Sequence, residues 1–341
     1  MFIKSYRSAQ NATAIISIII LLSLLNSHAV SAFFPGSYEV TCAGIEVMGV
    51  SHDTAEQVRK FSTMQVGDKF NIDDTKPLSD KAIKNIKENL SIGDIETSFM
   101  VVSNGELYMI LDIIPNEAKS TTYRTIPDNP EGVVRLTKEL MSLYNRHNDR
   151  KIHFMQNYTN FEEYYDKGYL DYDDPVLHSI TEQLRDLAKE QNDDLLKIIH
   201  YSHDEEEREA AALLLSWSQH PSNLTYIAKA DILRDPNVAV RNNVARSYIH
   251  FMDRVEDKAI LEDIIPAYCE MAALPSHSDR NKALYCILGI LKAHPDLAVA
   301  VNLECTNNIN YIAEMSILDN VGGVAKEIIN LLGVDHNLKH S

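Results

Sequence analysis

A polar residue four places ahead of an arginine recurs through the C-terminal half of the sequence and narrows what that half can fold into. Asp204 precedes Arg208, Asn237 precedes Arg241 and Ser276 precedes Arg280. Four residues after each arginine come Ala212, Ala245 and Leu284; seven after come Leu215, Tyr248 and Ile287. The arginines lie 33 and 39 residues apart, the length of a helix pair with its turns. In each unit a polar residue starts a helix and apolar residues follow at helical intervals. The small residue one turn after the arginine lets neighbouring helices approach. A degraded fourth copy is expected at Val321, Ala325 and Ile328, with the arginine lost, because a terminal repeat has only one neighbour. Val176, Ile180, Leu184 and Leu187 form an amphipathic stripe, so the region reads as helical from 176 to 335, with turns at Pro221, Pro236, Pro275 and Pro295. One helix pair cannot bury its apolar face alone; stacking buries a continuous core and leaves a curved surface.

The clearest unit is Leu233-Arg234-Asp235-Pro236-Asn237-Val238-Ala239-Val240-Arg241-Asn242-Asn243-Val244-Ala245. Asp235 suits a helix N-cap, and Pro236 suits the first helical position, where a missing N–H does no harm. The Asp-Pro, Val-Arg and Ala steps resemble a HEAT repeat of the short bacterial kind, called PBS-lyase HEAT-like. The resemblance implies that Asp235 and Arg241 tie one stacked unit to the next. Arg208 and Arg280, at matching places, take the same structural role. It brings no active site with it.

Residues 38–115 read as a small mixed domain. Tyr38 to Cys42 alternates with period two, and Ile45 to Val50 resumes the pattern after Gly44, predicting a strand with a bulge at the glycine. Val58 and Phe61 suggest a short helix, and Ile83, Ile86 and Leu90 mark a second over Pro77–Leu90. Ile95, Thr97, Phe99 and Val101 then share one strand face, Asn104-Gly105 suits a tight turn, and Leu107, Met109, Leu111 and Ile113 share a face of the returning strand. The order βααββ, with Ile45-x-Val47-x-Gly49 on the first strand and Gly67-Asp68 between the helices, resembles a POTRA domain. That resemblance implies a protein-docking module whose sheet edge accepts a partner's strand. A small cap for the helical repeats is the alternative. The fold class expected is a small α+β N-terminal domain followed by an all-α HEAT-like repeat solenoid.

Residues 116–175 connect the two. Pro115, Pro127 and Pro130 bracket a polar linker, and Glu131–Asn148 reads as a helix through Val133, Leu136, Leu140, Leu143 and Tyr144. The following stretch carries Tyr158, Phe161, Tyr164, Tyr165, Tyr169 and Tyr172 among Glu162, Glu163, Asp166, Asp171, Asp173 and Asp174. Two readings are open. Tyr164, Tyr165, Tyr169 and Tyr172 are candidate partner contacts, since tyrosines anchor interfaces; or the aromatics cover the end of the helical stack.

The first 32 residues read as a signal peptide. Lys4 and Arg7 precede an apolar run over Ala14–Leu25, and Val30-Ser31-Ala32 offers small residues for cleavage. Retention as an uncleaved anchor is the alternative, and the one route to a membrane. Removing the segment takes the formal charge from −17 to −19, a balance that repels phosphate backbones and disfavours nucleic acid. Export, to a periplasm or beyond the cell, brings oxidising conditions to Cys42, Cys269, Cys286 and Cys305. Cys269 and Cys286, on successive predicted helices, are the first pair to test, against four free buried thiols.

Nucleotide, metalloprotease and serine-hydrolase motifs are absent, so no catalytic residue, cofactor or metal is assigned. Trp217 reads as core. The favoured function is an exported adaptor or scaffold that binds another protein through its solenoid surface and a sheet edge. The second reading, an enzyme or lyase-like subunit, needs a polar pocket around His200, His203 and the tyrosine-acid segment.

Overall fold

The computed structural model describes residues 39–102, 105–114, 128–156, 163–166 and 168–333. The expected signal peptide, Asn104 of the hairpin turn, the linker stretch 116–127, and Tyr158 and Phe161 lie outside them.

The N-terminal part runs β1 (Glu39–Met48), α1 (His52–Phe61), β2 (Lys69–Asn71), α2 (Thr75–Asn89), β3 (Asp94–Val101) and β4 (Glu106–Ile114). The sheet order is β2-β1-β4-β3, with β1 and β4 parallel and the other pairs antiparallel. The expected βααββ order is therefore present, with one addition. After the Gly67-Asp68 turn, β2 pairs back onto the first residues of β1, matching Glu39 with Asn71. The predicted bulge is also present, since the β1–β4 register shifts between Cys42 and Gly44. A side chain at Gly44 would bring its Cβ within 2.8 Å of Ile317 Cδ1, so glycine here lets the C-terminal helices approach the sheet. In the hairpin Ile95, Thr97, Phe99 and Val101 face Ile113, Leu111, Met109 and Leu107, the pairing expected from the alternation. That face carries α2, with Ser79 Oγ donating to Thr97 Oγ1 at 2.9 Å. The opposite face is covered too: Glu46, Ile110 and Asp112 are buried under the helical part.

The helix expected at 131–148 lies further on, at α3 (Lys138–Gln156). Residues ahead of it run extended, with Gly132 bridged to Ser202 and its carbonyl accepting the His203 N–H at 2.8 Å. A Cβ on Gly132 would sit 2.3 Å from the Tyr201 carbonyl, so this crossing admits only glycine. The Thr137 hydroxyl accepts from the Leu140 N–H and starts the helix there. The tyrosine-acid segment is a two-stranded hairpin, β5 (Glu163–Asp166) and β6 (Tyr169–Tyr172).

Nine helices follow among the described residues: α4 (Pro175–Glu190), α5 (Asn192–Tyr201), α6 (Glu205–Ser218), α7 (Ser222–Lys229), α8 (Val238–Ile249), α9 (Lys258–Ala272), α10 (His277–Ala293), α11 (Ala298–Met315) and α12 (Val324–Leu331). They form two layers. Helices α6, α8, α10 and α12 pack side by side in one, and α5, α7, α9 and α11 in the other. The repeated signature explains the first layer. Asp204, Asn237 and Ser276 each cap a helix, accepting backbone N–H groups of α6, α8 and α10. Ala212 and Ala245 are fully buried where α6 meets α8. The cap of α8 is Asn237 rather than Asp235, because the Asp235 carboxylate is held by Arg208 and by the Asn237 N–H. Val321 falls in a π-helical turn (Asp319–Gly323), and Ala325 and Ile328 are buried in α12 against α10.

Cys269 is bonded to Cys305, not to Cys286. Helices α9 and α11 are neighbours within one layer, and their Cα atoms here are 5.2 Å apart. Cys286 lies in the other layer with its thiol on the Ala245 carbonyl, and Cys42 is likewise buried and free. Such a bond fits an oxidising compartment. No helix among the described residues is long and apolar enough to cross a membrane.

Candidate functional site

The repeated arginines form a ladder through the ends of the first layer. Arg208, fully buried, donates to both oxygens of Asp235, to the Ser202 carbonyl and to Asn129 Oδ1. Arg241 holds both oxygens of Asp279, at 3.2 and 2.6 Å, and the Asp235 carbonyl at 2.6 Å. Each arginine thus grips a carboxylate of the next unit. Asp235 and Arg241, expected to reach neighbouring units, do so through Arg208 and Asp279 respectively, and Arg241 also donates to the Asp235 carbonyl within its own unit. Burial raises the pKa of Asp235, and the Arg208 hydrogen bond opposes it.

The ladder leaves the helices at its last rung. Arg280 donates to Asp112 Oδ1 on β4 at 2.5 Å and lies 3.7 Å from Glu46 Oε1 on β1. Glu46 Oε2 also accepts from Ser316 Oγ and the Ile317 N–H. Tyr311 adds a second tie, its hydroxyl accepting from the Gly49 and Val50 N–H groups. The sheet is thereby fixed to the far end of the helical stack, the end made last in sequence.

A second buried cluster pins the hairpin. Glu163 on β5 accepts from Lys151 Nζ at 2.7 Å and from Arg246 NH2 at 2.5 Å, all three side chains being buried. The two cations overcome burial and hold the Glu163 carboxyl at about 2. Burial, with Lys151 beside it, lowers His147 to about 3, so the ring is neutral and pairs through Nε2 with the Tyr172 hydroxyl at 2.9 Å. Trp217 is core, as expected, and its indole N–H donates to the Leu170 carbonyl on β6. Lys282, almost wholly enclosed and bonded to Asn281 Oδ1, is lowered to about 7 by burial and by Arg246.

Of the four candidate contact tyrosines, Tyr164 is 40% exposed, while Tyr172 is buried. Tyr165 packs on His250 with ring centres 3.9 Å apart, and Tyr169 lies beneath Arg185 and Lys189. Burial inside the chain removes Tyr172 as a surface contact. The hairpin covers the ends of α6 and α8, the second of the two readings. His200 and His203 do not converge with it: His200 pairs with the Tyr226 hydroxyl and His203 with the Gly132 carbonyl. These groups precede α6, whereas Gly168 and Leu170 meet Gln219 and Trp217 at its other end, roughly 20 Å away along the helix. Among the described residues no group of three metal-capable side chains comes together.

Sequence reading missed Glu46, Asp112, Lys151, Arg246 and Lys282, and took Glu163 only as one acid of the tyrosine-acid segment. The one available signal was a charge flanked by residues that must be buried, as in Ile45-Glu46-Val47.

What these networks leave open is the edge of the sheet. β3 is the outer strand, hydrogen-bonded to β4 along one side only among the described residues. The Val102 N–H donates to the Glu106 carbonyl, so in the common register the even-numbered residues turn their backbone groups toward β4. The N–H and C=O groups of Ile95, Thr97, Phe99 and Val101 therefore point outward. Exposed apolar side chains also occur on α11, where Val299 is 68% and Leu303 82% exposed. Compared with known proteins, the chain matches no family profile, and no curated protein matches it at a significant level.

Proposed function

We propose that this chain is an exported protein-binding scaffold that takes up an extended segment of a partner as an added strand on β3. The observation that carries this reading is the eight-residue outer strand β3, Asp94–Val101, whose Ile95, Thr97, Phe99 and Val101 backbone groups face no other strand among the described residues and whose support is held by buried ion pairs. A strand adding to an edge forms main-chain hydrogen bonds whose affinity depends on that edge being rigid beforehand. Arg280, Asp112 and the helical stack supply the rigidity. The sheet order, with β4 central between β1 and β3 and two helices on one face, supports the POTRA-like reading. The Arg–Asp ties between successive units support the HEAT-like one. The disulfide supports export.

The test is a proline at an outward N–H. Thr97→Pro removes a donor that faces away from β4, so the hairpin keeps its own hydrogen bonds. A photo-crosslinker placed at the exposed Glu96 should capture a protein from the native source with the wild-type edge and lose it with Thr97→Pro, while the circular dichroism stays the same. Crosslinks unaffected by the proline, or capture that follows positions on α11 instead, would overturn the reading.

A further inference from the structure

The junction between the sheet and the helical stack contains two carboxylates and one guanidinium. Glu46, Asp112 and Arg280 are 0%, 3% and 3% exposed. In the β1–β4 register Met48 pairs with Asp112 and Glu46 with Ile110, which sets the two carboxylates on one sheet face, two positions apart along the strands. Arg280 is committed to Asp112 by a short hydrogen bond, and its approach to Glu46 is an ion pair without one. Among the described residues Glu46 Oε1 and Arg280 NH2 have no hydrogen-bond partner.

Among the described residues, the remaining groups around the site add no second cation. Glu96 on β3 contributes further negative potential toward Asp112. Tyr311 of α11 engages Gly49 and Val50, and Ser316 gives Glu46 a neutral hydrogen bond. His277, beside Arg280 on α10, is neutral because burial and Arg280 lower it to about 3. Asp279 is paired to Arg241, and Arg59 of α1 is turned to the Ile45 carbonyl and Glu56. Two negative charges facing one positive charge in a dry space leave one charge unbalanced, and a proton is the smallest species that balances it.

We propose that the closed junction holds one proton, on Glu46, which is released when the sheet separates from the last helices: the two parts of the molecule are joined by a proton-coupled latch. Burial favours the same state, raising the Glu46 pKa above the ordinary glutamate value, with Arg280 opposing and Asp112 reinforcing. A carboxyl whose pKa is raised in the closed form stabilises it fully below the ordinary glutamate value. That contribution is lost as pH rises through the raised value. The latch is therefore tightest in acid and loosens toward neutral and alkaline pH.

Hydrogen exchange of the full chain reads the latch directly, since the Ile317 amide donates to Glu46 and the Gly49 and Val50 amides to Tyr311. After correction for intrinsic exchange, the opening constant of these amides should rise with pH above the ordinary glutamate value of 4.5, by up to about tenfold per pH unit, until the raised value is passed. Glu46→Gln, which fixes the neutral form, should flatten the slope and keep the amides protected. Asp112→Asn, which leaves Glu46 alone with Arg280, should also remove the slope, and serves if the first variant folds poorly. A wild-type opening constant independent of pH overturns the proposal, as does a slope that survives either substitution.

Discussion

Replacing Arg208 by Met tests whether the ladder holds the stack together or merely accompanies it. Methionine fills similar volume, so the packing loss is small and the change is electrostatic. Four hydrogen bonds disappear, two of them to a carboxylate in a side chain that is only 5% exposed. Stripping one partner from a buried pair costs about 3–5 kcal/mol, because the other charge stays behind without compensation. Asp235 keeps only its bond from the Asn237 N–H, so the upper part of that range is expected. Removing the orphaned charge as well, in Arg208→Met with Asp235→Asn, should restore at least about 2 kcal/mol. The single variant also acquires a pH signature. Its Asp235 pKa, already raised by burial, rises further once the guanidinium is gone. Its penalty should then shrink as pH falls and grow as pH rises through that value. Urea titrations at pH 5 and 8 on the wild type and both variants supply the numbers. A loss below about 1 kcal/mol, or a double variant no better than the single one, would refute the reasoning.

Glu163, held at about 2, stabilises the fold above the ordinary glutamate value of 4.5, and that contribution is lost as pH falls toward 2. The difference between wild type and Glu163→Gln in urea titrations should therefore shrink by about 3 kcal/mol over that window. Trp217, the only tryptophan, bonds to the hairpin at Leu170, so in Glu163→Ala its emission should shift to the red before helical circular dichroism is lost. Coincident transitions would show that the hairpin does not open separately. Reducing the Cys269–Cys305 bond, which closes a segment of 36 residues, should cost about 3–4 kcal/mol, seen as a lower melting temperature in dithiothreitol. Cys286→Ser should leave that sensitivity unchanged. Gly44→Val should loosen the contact with Ile317 and speed exchange of the Ile317 amide more than that of amides in α6.

The helices and the βααββ order were legible because each rests on local spacing, whereas Asp235 passes for the cap of α8 that Asn237 makes. Asp204, Asn237 and Ser276 mark helix starts whatever surrounds them, and the 95–113 alternation determines its own register. What escaped was decided by distant partners. β2 exists only as a pairing onto β1, and three residues carry too little pattern to announce it. The start of α3 was misplaced because Val133 fits a helical stripe, yet Gly132 is needed at an extended crossing over Tyr201. Cys269 chose Cys305 because alternate helices share a layer, a fact of stacking rather than of sequence order. A sheet edge was expected only through the POTRA resemblance, which names no strand, whereas Glu163 with Lys151 and Arg246 joins three elements that no spacing relates.

The ladder grips the chain twice on either side of one connection. Asp112, near the end of β4, is bound to Arg280, and Asn129, where the described chain resumes, accepts from Arg208. Seventeen positions separate them, enough for an extended reach of ~55 Å, against ~20 Å for the two helix spacings between the arginines. The covalent link therefore has length to spare between its two anchors. A protease cut between 115 and 127 should yield two fragments on a denaturing gel that still travel as one particle through a sizing column. The same geometry lets that stretch be lengthened, or carry an inserted domain, without shifting the sheet from its seat.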